Sequence, residues 1–301
     1  MNSLAERVAA GELRALARAV TLIENATDAG REVLAELFPL TGRALLVGIT
    51  GPPGAGKSTL ANGLISLLRA EGKTVGVVAV DPSSPFTRGA ILGDRIRMQE
   101  HHGDPGVFIR SVATRGRLGG LGRGTLELAL LLDAAGRDVV LIETVGVGQD
   151  EIDIARLADV TVVVLAPGWG DSVQAIKAGI MEIADVFAIN KADLPGADRL
   201  EQDIQAMQSL GNEDPAPVCQ VVAAEGRGTA ELLAAVRAAF QKQIHRNRRP
   251  ETWAARLREM LTDSLLDSIP PAEFTRHAEL VAAKMEDPYK AVAILKSQLT
   301  K

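Results

Sequence analysis

Gly51-Pro52-Pro53-Gly54-Ala55-Gly56-Lys57-Ser58-Thr59 follows the apolar run Ala44 to Ile49 and precedes a segment of helical character, Leu60 to Arg69. Strand, glycine-rich turn and helix in that order match the phosphate-binding pattern G-x-x-x-x-G-K-[ST]. The glycines let backbone N–H groups converge on phosphate oxygens, and the helix that follows adds the positive end of its dipole. Lys57 is spaced to reach the outer phosphates, and Ser58 to offer its hydroxyl to Mg2+. Thr59, one residue further into the helix, approaches the α-phosphate side. Gly51 through Thr59 are therefore expected nucleotide contacts.

A loop of this kind needs a sheet to carry it. Apolar runs recur at Leu45 to Thr50, Thr74 to Val80, Val107 to Val112, Val139 to Ile142, Val160 to Ala166, Val186 to Ile189 and Val218 to Val222. Unbroken apolar runs suit strands buried on both faces. With helical segments between most of them, they predict an α/β P-loop NTPase fold, its largely parallel sheet covered by helices on both faces. Before this region, apolar residues from Leu4 to Leu37 recur at helical spacing with a break near Asn25 to Gly30, which predicts two helices. After about Arg249 the strand pattern stops. Three helices are expected there, over Thr252 to Leu266, Pro271 to Met285 and Pro288 to Leu299, punctuated by Pro270-Pro271 and Asp287-Pro288. The expected division is an N-terminal helical extension over 1–40, a P-loop domain over 41–248 and a C-terminal helical arm over 249–301. Trp253, Leu257, Met260, Leu261, Leu265 and Leu266 give the arm an apolar stripe, suited either to dimerisation or to packing on its own domain.

The net charge of −5 argues against a broad nucleic-acid footprint, which needs a basic face. A single cysteine, Cys219, cannot form an intramolecular disulfide, and the four histidines are scattered, so a reducing cytoplasm fits best. No apolar stretch approaches the roughly 18 residues of a membrane-spanning helix, and Met1 to Glu12 has no signal-peptide core. Neither a membrane nor a nucleic acid is an expected partner.

Asn190-Lys191-Ala192-Asp193 follows an apolar strand, where a P-loop sheet presents its base-reading loop. Asp193 can accept both the N1–H and the 2-amino group of guanine, whereas adenine offers neither donor. GTP and GDP are thus favoured over adenine nucleotides. Val222-Ala223-Ala224-Glu225-Gly226 stands where GTPases often carry a serine beside the guanine oxygen; Ala224 leaves only a backbone contact there. Asp81 closes one strand and Asp94 lies in a polar stretch, so both suit Mg2+ or water, or a turn cap and a solvated charge respectively. Glu143-Thr144-Val145-Gly146 ends the strand Val139 to Ile142. Glu143 is placed to hold Mg2+ through water and Gly146 to present its N–H to the γ-phosphate. Val147 stands where small GTPases carry the glutamine that orients water, so slow unassisted hydrolysis is expected; Gln149 is a nearby substitute.

Asp81-Pro82-Ser83-Ser84-Pro85-Phe86, Gly89 to Met98, Glu143-Thr144-Val145-Gly146-Val147-Gly148-Gln149 and Asn190-Lys191-Ala192-Asp193 together resemble the methylmalonyl-CoA mutase-associated GTPases of the MeaB/ArgK type. The resemblance runs from the N-terminal helices to the C-terminal arm. It implies a homodimeric G-protein chaperone with a low intrinsic GTPase rate stimulated by its partner. That partner is an adenosylcobalamin-dependent acyl-CoA mutase, whose cofactor loading it gates and which it protects from inactivation. The resemblance also implies that Asp81, Asp94 and Glu143 cluster with Ser58 around Mg2+ and the phosphates, with Lys57, Asp94 and Glu143 as catalytic candidates. Pro167 to Lys177 matches an additional switch that communicates with the mutase. Lys177 is a further catalytic candidate or a surface lysine, and Trp169 a partner contact or a local core aromatic. Arg110 to Arg123 reads as a flexible basic loop. Two alternatives share the nucleotide site: a metallochaperone GTPase, for which Cys219 and the pair His101-His102 are meagre ligands, and a transport-linked kinase.

Overall fold

The computed structural model describes residues 2–81, 99–101, 103–113, 123–144, 150–168, 178–209, 214–243 and 250–299. The chain forms two compact units, Met1–Asn247 and Arg248–Lys301. In the first, seven strands are described: β1 (Leu45–Thr50), β2 (Val75–Asp81), β3 (Val107–Ala113), β4 (Val139–Glu143), β5 (Val160–Leu165), β6 (Val186–Asn190) and β7 (Val218–Val221). Their order in the sheet is β3-β2-β4-β1-β5-β6-β7, and every pairing is parallel. Parallel strands need helical crossovers, which cover both faces and account for the unbroken apolar character of β4, β5 and β6.

One face of the sheet is covered by α4 (Lys57–Ala70) and α9 (Thr229–Gln243), whose Leu60, Leu64, Leu232 and Val236 pack with Val47, Leu141 and Val162. On the other face lie α1 (Leu4–Ala9), α2 (Leu13–Glu24), α3 (Asp28–Leu37), α5 (Arg123–Ala134) and α6 (Asp150–Leu157). Leu16, Val20, Leu128 and Leu132 meet Val78, Val140 and Ile142 there. α7 (Ala178–Ile183) and α8 (Ala197–Gln208) complete the first unit beside β6. Gly48 allows α6 to approach β1, since a Cβ at that position would lie 2.6 Å from Ile154 Cγ1.

The N-terminal segment forms three helices, where apolar spacing predicts two. Gly11 lies at φ +79° and separates α1 from α2, a left-handed turn that periodicity alone does not register. Gly30 marks the next close approach: a Cβ there would sit 2.8 Å from the backbone of Leu22. The second unit consists of α10 (Pro250–Asp267), α11 (Pro271–Ala282) and α12 (Pro288–Gln298), each beginning on proline, whose fixed φ suits the first helical turn. Among the described residues no helix is long and apolar enough to cross a membrane.

Candidate functional site

Because all strands run parallel, their C-terminal ends share one edge of the sheet, and the chain leaves β1 between β4 and β5, where crossovers diverge. Such a switch point opens a crevice for ligands. Gly51 lies at φ +133°, and a Cβ on it would come within 2.0 Å of the Val164 carbonyl oxygen, so only glycine turns the chain here against β5. Gly54 and Gly56 are also left-handed, and Gly56 immediately precedes α4. The buried Lys57 Nζ donates to the carbonyl oxygens of Gly51, at 2.7 Å, and Pro52, at 3.0 Å. The lysine thus lies folded over its own loop. Pro53, Gly54 and Thr59 are exposed, while Ala55 is buried beneath the loop.

Ser58, in the first turn of α4, donates its hydroxyl to Glu143 Oε1 at 2.6 Å, and both residues are more than nine-tenths buried. The register Ile49↔Glu143 and Ala79↔Glu143 puts this carboxylate between the ends of β1 and β2. One residue on, Thr144 N–H bonds the Ile49 carbonyl at 3.0 Å, and its hydroxyl donates to Thr50 Oγ1 at 2.9 Å. Asp81 ends β2 in register with Ala113. The Asp81 side chain lies outside the described residues, as do Asp94, Gly146, Val147, Gln149, Trp169 and Lys177.

At the end of β6, Asn190 is buried and engaged at both ends of its amide. Nδ2 donates to the Ala55 carbonyl at 2.8 Å, and Oδ1 accepts the Ala223 N–H at 3.0 Å. The side chain therefore braces the phosphate loop against the turn after β7. Lys191, at φ +56°, extends Nζ to the Gly54 carbonyl at 2.8 Å. Asp193 and Ala224 are exposed, the first three residues after Asn190 and the second directly after Ala223. The turn carrying Ala224 is closed by a bridge between Val222 and Arg227 and by Gly228, whose Cβ would meet the Gln220 carbonyl at 2.2 Å.

Outside this edge, two features bear on the sequence readings. Arg110 lies within β3, not in a loop, and its guanidinium holds the Glu24 carboxylate of α2 with two donors. Cys219 lies half-buried on β7, where burial first, then Glu231 and Glu201, push its thiol up from the ordinary range. That environment disfavours a metal-binding thiolate. Sequence reasoning missed the brace role of Asn190 and the Thr50–Thr144 contact; the signal for the latter was a polar residue at the end of each of two apolar strands.

The family profile of the methylmalonyl-CoA mutase-associated GTPase MeaB matches residues 16–273. A Pyrococcus abyssi protein named as a GTPase is 46% identical, over 99% of this chain and 97% of its own. The GTPase ArgK of Escherichia coli is 46% identical over 62% of this chain and 58% of its own. The mouse mitochondrial methylmalonic aciduria type A homolog is 37% identical over 78% of this chain and 61% of its own. Among solved structures, one titled LAO/AO transport system kinase superposes with a TM-score of 0.68 at 28% identity, covering 99% of this chain and 97% of that one. A phosphate loop braced to a guanine-type N-K-x-D strand end agrees with these likenesses: the chain belongs to the methylmalonyl-CoA mutase-associated GTPase MeaB family and is a P-loop GTPase.

Proposed function

We propose that this GTPase is a G-protein chaperone that gates adenosylcobalamin loading of a cobalamin-dependent acyl-CoA mutase and protects that enzyme from inactivation. The observation that carries the nucleotide half of this reading is the Asn190 brace, which holds the phosphate loop and the turn bearing Ala224 in one assembly. The mutase half is supported by the description of the family and by the name of the mouse relative.

GTP is the substrate. Its phosphates lie against the loop Gly51 to Thr59, taking backbone N–H donors from its residues other than Pro52 and Pro53, with Lys57 exchanging its loop carbonyls for phosphate oxygens. Guanine pairs with Asp193, and the Ala224 N–H faces the guanine oxygen. Asn190 and Lys191 hold the phosphate loop and base loop in position. Hydrolysis joins a water oxygen to the γ-phosphorus as the bond to the β–γ bridging oxygen breaks, releasing GDP and phosphate. Glu143, Asp94 and Lys177 serve at that centre, and Gly146 offers its N–H to the γ-phosphate. Ser58 and Glu143 supply a hydroxyl and a carboxylate, hard oxygen donors 2.6 Å apart, a set that fits Mg2+. Ser58, Asp81, Asp94 and Glu143 would hold the ion, which when bound offsets negative charge on the phosphates. Val147 in place of a water-orienting glutamine accounts for a slow intrinsic rate. The protein is a cytoplasmic homodimer joined through its C-terminal arm.

Steady-state GTP hydrolysis with and without a cobalamin-dependent acyl-CoA mutase from the same source, with ATP as control, tests this. Slow GTP turnover that rises with the mutase is expected. Unchanged turnover with every such mutase, with GTP binding intact, overturns the chaperone reading and leaves the GTPase.

A further inference from the structure

We infer that the buried hydroxyl pair Thr50–Thr144 is a positioning device for the GTPase reaction, acting through Glu143. The inference rests on the assignment of Glu143 to the hydrolytic centre. Thr50 immediately precedes Gly51, the first residue of the phosphate loop, and Thr144 immediately follows Glu143. Their hydroxyls meet at 2.9 Å with both residues essentially inaccessible, 0% and 1% exposed. The bond therefore ties together the roots of the two segments that hold Ser58 and the carboxylate it touches.

Its place in the sheet gives it leverage. The β1–β4 register ends at Ile49↔Glu143, and the Thr144 N–H to Ile49 carbonyl bond, at 3.0 Å, extends the ladder one step further. Successive residues on extended backbone face opposite sides. Ile49 and Leu141 lie in the core beneath α4, on the side from which Ser58 reaches Glu143. Thr50 is aligned with Gly48, whose face meets Ile154 of α6. The hydroxyl pair thus pins the β1–β4 rung from the face opposite the carboxylate, and limits rotation of the chain about Glu143 as it leaves the sheet. In a close-packed interior, a valine at either position fills the same space but removes this directional contact.

Four variants separate positioning from packing: Thr144→Val, Thr144→Ser, the double variant Thr50→Val/Thr144→Val, and Glu143→Gln as reference. Single-turnover GTP hydrolysis, GTP KM and Tm are measured for each. Thr144→Val is expected to lower kcat about tenfold with KM little changed, the size of effect that a small misplacement at a reacting centre produces. Thr144→Ser, which keeps the hydroxyl, restores kcat. The double variant recovers Tm, because both partners become apolar and no buried polar group is stranded, yet keeps the low kcat. Return of kcat together with Tm in the double variant, or a wild-type kcat in Thr144→Val, overturns the inference and leaves the pair a packing feature. Full turnover in Glu143→Gln instead removes the assignment of the carboxylate, and the inference with it.

Discussion

In the proposed function the choice of base falls to Asp193, an exposed carboxylate three residues beyond the braced Asn190. Its two acceptor oxygens match two donors on guanine, and neither donor exists on adenine. Asp193→Asn replaces one acceptor by a donor aimed at a donor. The expected loss is about 3 kcal/mol of GTP affinity, roughly a hundredfold, with preference over ATP abolished. Competition binding with labelled GTP against GTP and ATP measures it; retained discrimination would place base reading elsewhere. At this scale the positions of Lys57 and Ser58 at the start of α4 and of Asp193 after β6 were legible, because they follow from spacing within short motifs. The use of Asn190 was not. Its partners, Ala55 and Ala223, are 135 and 33 residues away, and only the fold brings them to one amide.

Elements follow from local pattern where burial is uniform and depart from it where one residue intervenes. The seven strands were legible because strands covered on both faces need unbroken apolar runs. The split between α1 and α2 was not, since it depends on the backbone of Gly11 and not on side-chain periodicity. Arg110 was read as part of a basic loop from the glycines that follow it. The strand run Val107 to Val112 already contained it, and the structure keeps it there; the Glu24 partner comes from α2 lying on that face. A comparable long-range fastening sits where the N-terminal helices give way to β1. Asp133 of α5, 2% exposed, accepts three consecutive backbone N–H groups, from Gly42 at 2.5 Å, Arg43 at 3.1 Å and Ala44 at 2.8 Å. Asp133→Asn retains one acceptor oxygen and turns an amide donor toward these donors. Its expected cost is about 2 kcal/mol of stability. Urea unfolding measures it as a lower midpoint at unchanged slope, and an unshifted midpoint would show the contact to be dispensable.

Across the whole molecule, the second unit keeps an apolar surface that its own helices leave open. Leu257 and Leu261, one turn apart on α10, are each 59% exposed, and Leu265 and Leu266 continue the exposed stripe. We propose that this stripe is an association surface, with a second copy of the chain as its occupant. The paired substitution Leu257→Glu/Leu261→Glu is expected to convert a dimer to a monomer in sedimentation velocity while leaving intrinsic GTP turnover intact. A dimer of unchanged mass would move the interface off this helix, and a monomeric unsubstituted protein would remove the dimer. The amino-acid sequence by itself determined the phosphate loop, the guanine-type strand end, the seven described strands and the parallel α/β class, because these depend on residue types at fixed short spacing and on uniform burial. Tertiary structure decided the contacts between distant groups, of which only the approach of Glu143 to Ser58 was implied beforehand, by the family resemblance. Ser58 reaches Glu143 and Thr50 bonds Thr144 because β4, three strands later in the chain, lies beside β1, and Asn190 braces Ala55 to Ala223 because β6 lies two strands from β1 and next to β7. Side-chain contacts across such a sheet are set by strand order and register, and neither is a local property of the chain.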